Sequence, residues 1–434
     1  MNGCSLLFRK TYSNSGVVSQ YFFSAALISL LSPLLSGALG VSGFSLIPFV
    51  NAAFALFIFA ILAVGIFHIL VSKSSFDIPR ESVFVVSSIF SIILMGSVIG
   101  FVSGNSKVYL LSTALYWTNW IGLIFCCSAR FQKSDLYTTL VPMSWMHSIL
   151  GVAIATGIFG GEAKSQILLA CVCFFSIHAI SFGRYFYSVL FLLPLVIGAA
   201  NTSRAMVLSF LLSTLIVAII SRRGSILTGI LLALILAYLS VASGALIDVL
   251  TPGTQIYRRA FELYNLINGY VSIENLVALK QRLYEMQAVE LFLSDLGWLG
   301  IFGGGFGQTI DMSAAPDASV TNSALLGGGT VHNIHSLPHS LALRSGVLGL
   351  ILLCALIIQS LLSSFRIWKY GIKDEFTLFC TIYPIASISY ALSASNYFLT
   401  DFIIGALVVL AAVRTRRYAA DRTIFSGSKQ AQNL

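Results

Sequence analysis

Charged residues are scarce in this chain. Asp, Glu, Lys and Arg together make up 9% of its 434 residues, whereas 57% of the residues are apolar. Soluble globular proteins carry about 25% charged residues, so this composition excludes an ordinary soluble domain. The net charge of +9 does not indicate a nucleic-acid partner, because Lys and Arg in a membrane protein mainly set its orientation. The sequence therefore predicts an all-α, polytopic integral membrane protein with no nucleic-acid partner.

Long apolar runs alternate with short polar connections along most of the chain. Each run is close to the 17–25 residues that a helix needs to cross about 30 Å of hydrocarbon. The runs lie at residues 21–40, 47–71, 83–103, 108–128, 137–160, 166–182, 185–200, 205–220, 226–248, 340–362, 376–395 and 397–413. The sequence therefore predicts about 12 transmembrane helices.

These runs divide the chain into four parts. Residues 1–248 hold nine predicted spans, residues 249–339 form one large loop, residues 340–413 hold three more spans, and residues 414–434 form a tail. If both termini are cytoplasmic, 17 of the 25 Lys and Arg residues lie on the inner side. This distribution follows the positive-inside rule. It predicts a multi-pass membrane protein, with both termini in the cytoplasm and the large loop on the outer side.

The large loop has about 90 residues and is too long to be a simple connection. None of the chain's 7 cysteines lies in it, which excludes a disulfide framework or a thiolate metal site there. Its first half predicts an amphipathic helix from about Ser272 to Gly297, whose polar face is expected to be solvated. The apolar positions of this helix are Leu276, Leu279, Leu283, Met286, Val289 and Leu293, and the polar positions are Lys280, Glu285, Glu290 and Asp295.

Glycine-rich runs follow this helix, at residues 297–308 and 325–330. Neither run has the spacing or the strand-to-helix context of a nucleotide-binding loop, so both predict turns. A nucleotide-driven pump is accordingly disfavoured.

Three of the six histidines, His332, His335 and His339, fall within eight positions at the end of the loop. Imidazole titrates near neutral pH and is suited to general-base catalysis. A metal site is the competing interpretation, because positions i, i+3 and i+7 share one face of a helix. Pro338 interrupts such a helix, and no metal is therefore expected. A metal site would recruit Asp311 or Asp317 as further ligands.

Two arginines have positions that are compatible with a function. Arg204 lies at the outer end of a predicted span, where a charge is costly without a partner, although a snorkelling anchor is the simpler alternative. Arg282 lies in the predicted loop helix, where a solvated arginine would be unremarkable. The histidine cluster further along the chain strengthens the expectation that both arginines have a function.

The end of the loop resembles a known motif. His335 is followed by Ser336, nine further residues, Gly346 and then Gly349. This pattern resembles the one that ends the large periplasmic loop in the bacterial O-antigen polymerase (Wzy) and O-antigen ligase family, whose members are membrane glycosyltransferases of GT-C-like fold. The segments "NTSRAMVLS" and "QRLYEMQAVELFLSDLGWLGIFGGGFG" are similar to further parts of that family, so the resemblance covers about residues 200–350. His332 and Asn333 form the more usual His-Asn pair, but this pair lies three residues too far from Gly346.

The resemblance implies an enzyme of the bacterial inner membrane, with its large loop in the periplasm. This enzyme would transfer a glycan from an undecaprenyl-diphosphate carrier to an acceptor sugar hydroxyl at the periplasmic face. It implies no cofactor, no metal and no nucleotide sugar. His335 would be the general base, and Arg204 and Arg282 would bind the diphosphate. Further substrate-binding positions would be His332, Arg258, Arg259 and Arg344.

The implied partners are the carrier-linked oligosaccharide, an acceptor glycan and membrane lipid, with a chain-length regulator as a further candidate. The acceptor is either a second carrier-linked repeat or the lipopolysaccharide core. Polymerase and ligase therefore both stay open, with polymerase favoured. Twelve spans are also a common transporter plan, so a polysaccharide transporter or flippase is the alternative from another class. The span histidines His68, His147 and His178 are scattered and favour structural roles over a proton relay.

Overall fold

The computed structural model of the chain is mostly helical. It describes residues 80–130, 166–184, 204–250, 255–272, 277–312 and 330–431, together with residues 53, 55–63, 66, 140–142, 145, 149 and 252. The predicted spans at 21–40, 47–71, 137–160 and 185–200 lie wholly or mostly outside the described residues, as do His68 and His147.

The helices of the first half are α1 (Arg80–Val102), α2 (Lys107–Arg130), α3 (Gln166–Phe182), α4 (Arg204–Ile220) and α5 (Gly224–Ala242). The middle of the chain forms α6 (Ala245–Val249), α7 (Gln255–Ile267), α8 (Val277–Asp295), a 3-10 helix (Gly297–Phe302) and two short antiparallel strands, β1 (Ile310–Asp311) and β2 (Thr330–Val331). The last part forms α9 (Leu337–Tyr370), α10 (Glu375–Ala391), α11 (Asn396–Thr400) and α12 (Ile404–Ala431).

Four helices of the described residues are long and apolar enough to cross a membrane. They are Val83–Val102, Lys107–Phe125, Gly224–Ala242 and Leu337–Tyr370, and two shorter apolar helices are Leu168–Phe182 and Ala205–Ile220. Their positions agree with the predicted spans. At this level the structure agrees with an all-α membrane protein, as the composition predicted.

Helix α10 forms the centre of the bundle. Nearly all of its residues are buried, and it packs against α3, α4, α9 and α12. A helix that is apolar on all faces is buried in this way. The hydroxyl of Thr381 bonds within the helix, to the carbonyl of Thr377 at 2.8 Å. At one end, Glu375 contacts a ring nitrogen of His178 on α3.

The predicted span at 397–413 is not one continuous helix. Helix α11 ends at Thr400, and α12 begins only at Ile404. The break lies at Asp401, which is fully buried and accepts hydrogen bonds from the hydroxyls of Tyr383 at 2.7 Å and Ser387 at 2.5 Å. A buried carboxylate needs such donors, and the chain leaves the helical conformation where Asp401 receives them. The apolar pattern alone does not reveal this break.

The first glycine-rich run forms tight turns, as predicted, but it lies inside the bundle. Residues 303–307 are buried between α1 and α9. Phe306 is fully buried against the close pair Gly96 and Gly100 of α1, and its N–H donates to the carbonyl of Gly96 at 2.8 Å. Gly304 N–H donates to the carbonyl of Leu343 on α9 at 2.7 Å. The run therefore attaches the middle segment of the chain to the C-terminal part of α1 and the N-terminal part of α9.

Helix α9 bends where this run meets it. Gly346 has φ +58° and ψ −148°, which is a conformation outside the helical region and open essentially only to glycine. A Cβ atom at Gly346 would lie 2.1 Å from the carbonyl oxygen of Ile301. The kink at Gly346, ten residues after Ser336, thus lets the 3-10 helix approach the backbone of α9.

Candidate active site at the loop and bundle junction

Helix α8 brings a carboxylate into the protein interior. Glu285 is fully buried, whereas Leu283, a predicted apolar-face position, is 40% exposed. The prediction that Glu285 belongs to a solvated face is therefore wrong, although Glu290 and Asp295 of the same set are exposed. The buried stripe of α8 runs through Gln281, Glu285 and Val289, which lie four residues apart.

The buried carboxylate is bound to His335. Glu285 Oε1 and Oε2 lie 2.9 Å and 3.0 Å from the ring Nδ1 of His335. The backbone N–H of His335 also donates to Glu285 Oε2 at 2.8 Å, and the side-chain amide of Gln281 donates to Oε1 at 3.2 Å. These donors compensate for the loss of hydration that burial imposes on a carboxylate.

This contact fixes the protonation pattern of the His335 ring. An ionised carboxylate can only accept hydrogen bonds, so the proton of a neutral ring lies on Nδ1 and leaves Nε2 as a free base. The His335 side chain is 35% exposed, whereas that of Glu285 is buried. The pair therefore presents an oriented basic nitrogen at the surface, the arrangement in which a carboxylate holds a catalytic imidazole.

The backbone around His335 is held from the other side by the connection between α10 and α11. The N–H of Ser395 donates to the carbonyl of His335 at 3.3 Å, and the Ser395 hydroxyl donates to the carbonyl of Ile334. Leu337 N–H donates to the carbonyl of Leu392 at 3.3 Å. His335 is thus fixed between α8 and the segment that follows the C-terminal end of α10.

His332 lies in a different environment. Its ring stacks on Tyr109 with the ring centroids 3.8 Å apart, and its Nδ1 donates to the carbonyl of Gln308 at 3.1 Å. Burial and the nearby charge of Arg344 lower the pKa of His332 to about 3, and the bond to Gln308 opposes this shift. His332 is therefore a neutral ring at physiological pH, with its Nε2 available as an acceptor.

The lowered pKa of His332 predicts acid sensitivity of the fold. Its pKa is about 3 in the folded protein and about 6.5 in the unfolded chain, so the unfolded chain binds more protons between these values. Stability is therefore lost as the pH falls from about 6.5 toward 3. His332→Phe keeps the ring stack and cannot titrate. We expect the thermal midpoint of this variant to fall less between about pH 7 and pH 4.5 than that of the wild type. An equal fall of the thermal midpoint in both proteins would contradict the assignment of a lowered pKa to His332.

His339 forms a second pair with a carboxylate of α8. Its Nε2 lies 3.2 Å from Oε1 of Glu290, and its Nδ1 lies 2.8 Å from the hydroxyl of Ser336. Glu290 is 65% exposed in its side chain and His339 is 21% exposed. Two neighbouring turns of α8 thus each contact one histidine of the cluster.

The arginines predicted to bind substrate lie at different places. Arg282 lies on α8, three residues before Glu285, which is a neighbouring position on a helix surface. Arg204 is the first residue of α4, but its side chain is not among those that the structure describes. Arg258 and Arg259 lie on α7, which packs against α5 and α6. Arg282 is therefore the predicted arginine that shares an element with the buried carboxylate.

Arg344 is buried, with 2% of its surface exposed. Its guanidinium donates to the carbonyl of His332 at 2.7 Å and to the side-chain oxygen of Asn333 at 3.3 Å. Arg344 therefore connects α9 to the histidine segment and supports the positions of His332 and Asn333.

The three clustered histidines do not converge on one point. Their rings contact Gln308, Glu285 and Glu290 respectively, and α9 begins at Leu337 with Pro338 in its first turn, as the position of this proline predicted. The described residues contain no group of three or more His, Cys, Asp or Glu side chains that could hold a metal ion. Asp317 lies outside them.

Sequence reasoning missed Glu285, Gln281 and Tyr109. A signal for the first two was present, because Gln281 and Glu285 are in register with Val289 on one helical face. The stack of Tyr109 on His332 joins residues 223 positions apart in the chain. No local pattern indicates such a contact.

Comparison of the chain with family models, with curated proteins and with solved structures finds no match. The resemblance to the O-antigen polymerase and ligase family therefore rests on the motif residues described above.

Proposed function

We propose that this protein transfers a glycan from an undecaprenyl-diphosphate carrier to an acceptor sugar hydroxyl at the periplasmic face of the bacterial inner membrane. The single observation that carries the proposal is the pair of Glu285 and His335, in which a buried carboxylate holds an exposed imidazole. The acceptor hydroxyl loses a proton as it attacks the anomeric carbon. His335 Nε2 receives that proton as the general base, a role that contributes typically about 10²–10⁴-fold to the rate.

The proposal includes the membrane arrangement expected from the sequence. Twelve spans, cytoplasmic termini and a periplasmic loop at 249–339 place His335 on the outer side. His335 lies two residues before the apolar helix α9, so its ring is near the level where a lipid-linked diphosphate would lie.

In this proposal Arg204 and Arg282 bind the diphosphate leaving group. Guanidinium offers bidentate hydrogen bonds to phosphate oxygens and keeps its charge at all physiological pH values. The position of Arg282 one turn before Glu285 supports its assignment. His332, Arg258, Arg259 and Arg344 contribute to the binding surface, Arg344 by holding the His332 segment.

The arginine role predicts a specific pattern of substitution effects. A charge-assisted hydrogen bond is worth about 1.5–3 kcal/mol, so Arg282→Ala should slow transfer by about tenfold or more. Arg282→Lys keeps the charge but cannot form the bidentate hydrogen bonds of a guanidinium, so it should recover little of the transfer rate. Lys280→Ala, two residues away on α8, is the control and should have little effect. The steady-state rate of product formation by each purified variant measures this pattern. Full activity of Arg282→Lys would contradict the proposed binding of the diphosphate by Arg282.

The proposal is tested directly with purified protein in lipid. Carrier-linked glycan and acceptor glycan, with no nucleotide sugar and with excess EDTA, should yield product at an unchanged rate. The reason is that the diphosphate already activates the donor and that arginine binds its charge. A rate that collapsed with chelator and returned with magnesium or manganese would contradict this mechanism.

Polymerase is the favoured form of this activity, and O-antigen ligase is the alternative. Deleting the gene separates the two, because loss of a polymerase leaves single repeats on the lipopolysaccharide core, whereas loss of a ligase leaves none. A polysaccharide transporter is a further alternative. It predicts essential residues at the midplane of the bundle, such as the buried Asp401, in place of His335.

A further inference from the structure

Beside the pair of Glu285 and His335 lies a second hydrogen-bonded set of side chains, of residue types that often act in catalysis. It runs from Glu290 through His339 to the hydroxyl of Ser336, with distances of 3.2 Å and 2.8 Å. Glu290 can only accept, so the proton of a neutral His339 ring lies on Nε2 and Nδ1 accepts from the Ser336 hydroxyl. A hydroxyl bound to a base that is itself oriented by a carboxylate is the arrangement of an activated nucleophile.

The position of Ser336 makes this contact unusual. Ser336 is the N-cap residue of α9, where a serine hydroxyl ordinarily accepts a hydrogen bond from the backbone of the first turn. Its hydroxyl makes no such bond and is directed to His339 instead. Ser336 and His339 are both partly exposed.

The two hydrogen-bonded sets, one of Glu285 and His335 and the other of Glu290, His339 and Ser336, have complementary chemistry. Glu285 and Glu290 are five residues apart on α8, a separation of about 7.5 Å along the helix axis, and each holds one histidine. His335 carries a free basic nitrogen, whereas His339 carries a hydroxyl on its own basic nitrogen. One sugar transfer could therefore use both, the first base for the acceptor and the second for an enzyme nucleophile.

We propose that Ser336 is a nucleophile that forms a glycosyl-enzyme intermediate, with His339 as its base and Glu290 as a positioning residue. This inference rests on the proposed function. In the first step Ser336 Oγ bonds to the anomeric carbon, the bond to the diphosphate oxygen breaks with its electron pair, and the Ser336 proton moves to His339 Nδ1. In the second step the acceptor oxygen bonds to that carbon and loses its proton to His335 Nε2. The bond to Ser336 Oγ breaks, and the oxygen regains its proton from His339.

Two displacements at one carbon give net retention of the anomeric configuration, whereas one direct displacement by the acceptor gives inversion. The wild-type protein in lipid vesicles, given a carrier-linked glycan of defined anomeric configuration, therefore tests the proposal without any variant. We expect the product linkage, assigned by NMR coupling constants, to show retention. Inversion would overturn the nucleophile role of Ser336.

Variants provide the second test. His335→Gln should stall the second step, so incubation with donor alone should add the mass of one glycan to the peptide that contains Ser336. His335→Gln combined with Ser336→Ala should show no such adduct. Ser336→Ala alone should lose at least about 100-fold in transfer rate, and Ser393→Ala, a nearby hydroxyl bonded to the carbonyl of Tyr390, should be unchanged.

These measurements separate failure of this inference from failure of the proposed function. Inversion, or an unchanged rate in Ser336→Ala, with loss of activity in His335→Gln, would remove the Ser336 role and leave His335 as the base of a direct transfer. Retention with an adduct on another residue would also overturn the Ser336 role. No transfer by the wild-type protein from any carrier-linked glycan would overturn both.

Discussion

His335→Ala is expected to lower the rate of glycan transfer by about 10²–10⁴-fold, while the protein still inserts and accumulates normally. The reason is that the ring of His335 is the only part of the Glu285 pair that reaches the surface, and its loss removes the proposed proton acceptor. Initial rates with purified variants in lipid measure the effect. His332→Ala should cost much less, because that ring is stacked on Tyr109 and bound to a backbone carbonyl.

The opposite outcome would be informative. If His335→Ala retained nearly the wild-type rate and His332→Ala did not, the motif histidine would be His332, and the more usual His-Asn pair would carry the chemistry. Thermal unfolding of both variants, measured in the same lipid, separates a lost base from a lost fold.

Substitution of the buried Glu285 provides a second test of the role of His335. Glu285→Gln keeps the shape of the side chain but can direct its amide N–H groups at His335 Nδ1, which favours the ring tautomer with the proton on Nε2. In a Ser-His-Asp triad, the corresponding loss of the orienting carboxylate lowers the rate by about 10⁴-fold, so a large loss is expected here. The pH profile of the residual activity should change because the charge beside the ring is lost. Asp295→Asn, an exposed position on the same helix, is the matched control.

The apolar helices among the described residues were predictable because each depends on a local property. A run such as 226–248 predicts a helix from its composition alone, and α5 spans Gly224–Ala242. The break at Asp401 was not predictable in this way, since the Tyr383 and Ser387 hydroxyls that donate to Asp401 lie 18 and 14 residues away in sequence. Where a buried polar group meets donors from another helix, only the folded arrangement shows the outcome.

The candidate site likewise contains residues that the sequence could predict and residues that it could not. His335 and Arg282 could be selected from the resemblance, through the spacing of His335 to Gly346 and through the segment that begins at Gln281. Glu285 was assigned to the wrong face, because amphipathic patterning treats every carboxylate as solvated. The register of Gln281 and Glu285 with Val289 indicates a shared helical face. It does not reveal the donors from His335, 50 residues away in sequence, that stabilise the buried carboxylate.

The glycine-rich run illustrates the limit for backbone contacts. The sequence predicted turns, and Gly303, Gly305 and Gly307 do have positive φ. The reason for so many glycines is the close approach to two spans: a Cβ at Gly305 would lie 2.4 Å from the backbone nitrogen of Gly100, and one at Gly303 would lie 2.6 Å from the carbonyl oxygen of Ala342. The motif spacing from His335 to Gly346 thus joins the candidate base to the point where this run docks.

This contact leads to the expectation that Gly346→Ala strongly destabilises the junction of loop and bundle. The alanine must adopt φ +58° and ψ −148°, a conformation that costs about 1–3 kcal/mol for residues other than glycine. Its Cβ would also lie 2.1 Å from the carbonyl oxygen of Ile301, so the 3-10 helix must move away from α9. We therefore expect a fall in the thermal midpoint together with loss of transfer activity, since α8 and the 3-10 helix pack together and α8 holds Glu285.

Gly371 provides a matched control for the backbone contribution. It ends the same helix at φ +62°, and a Cβ there would meet nothing within 4 Å. Gly371→Ala should therefore cost only the strain of a left-handed alanine, about 1–2 kcal/mol, and leave transfer activity intact. Thermal unfolding and limited proteolysis of the loop, measured for both variants in lipid, compare the two positions. Equal destabilisation, with the site still active in Gly346→Ala, would show that the approach of the glycine-rich run to α9 does not hold Glu285 against His335.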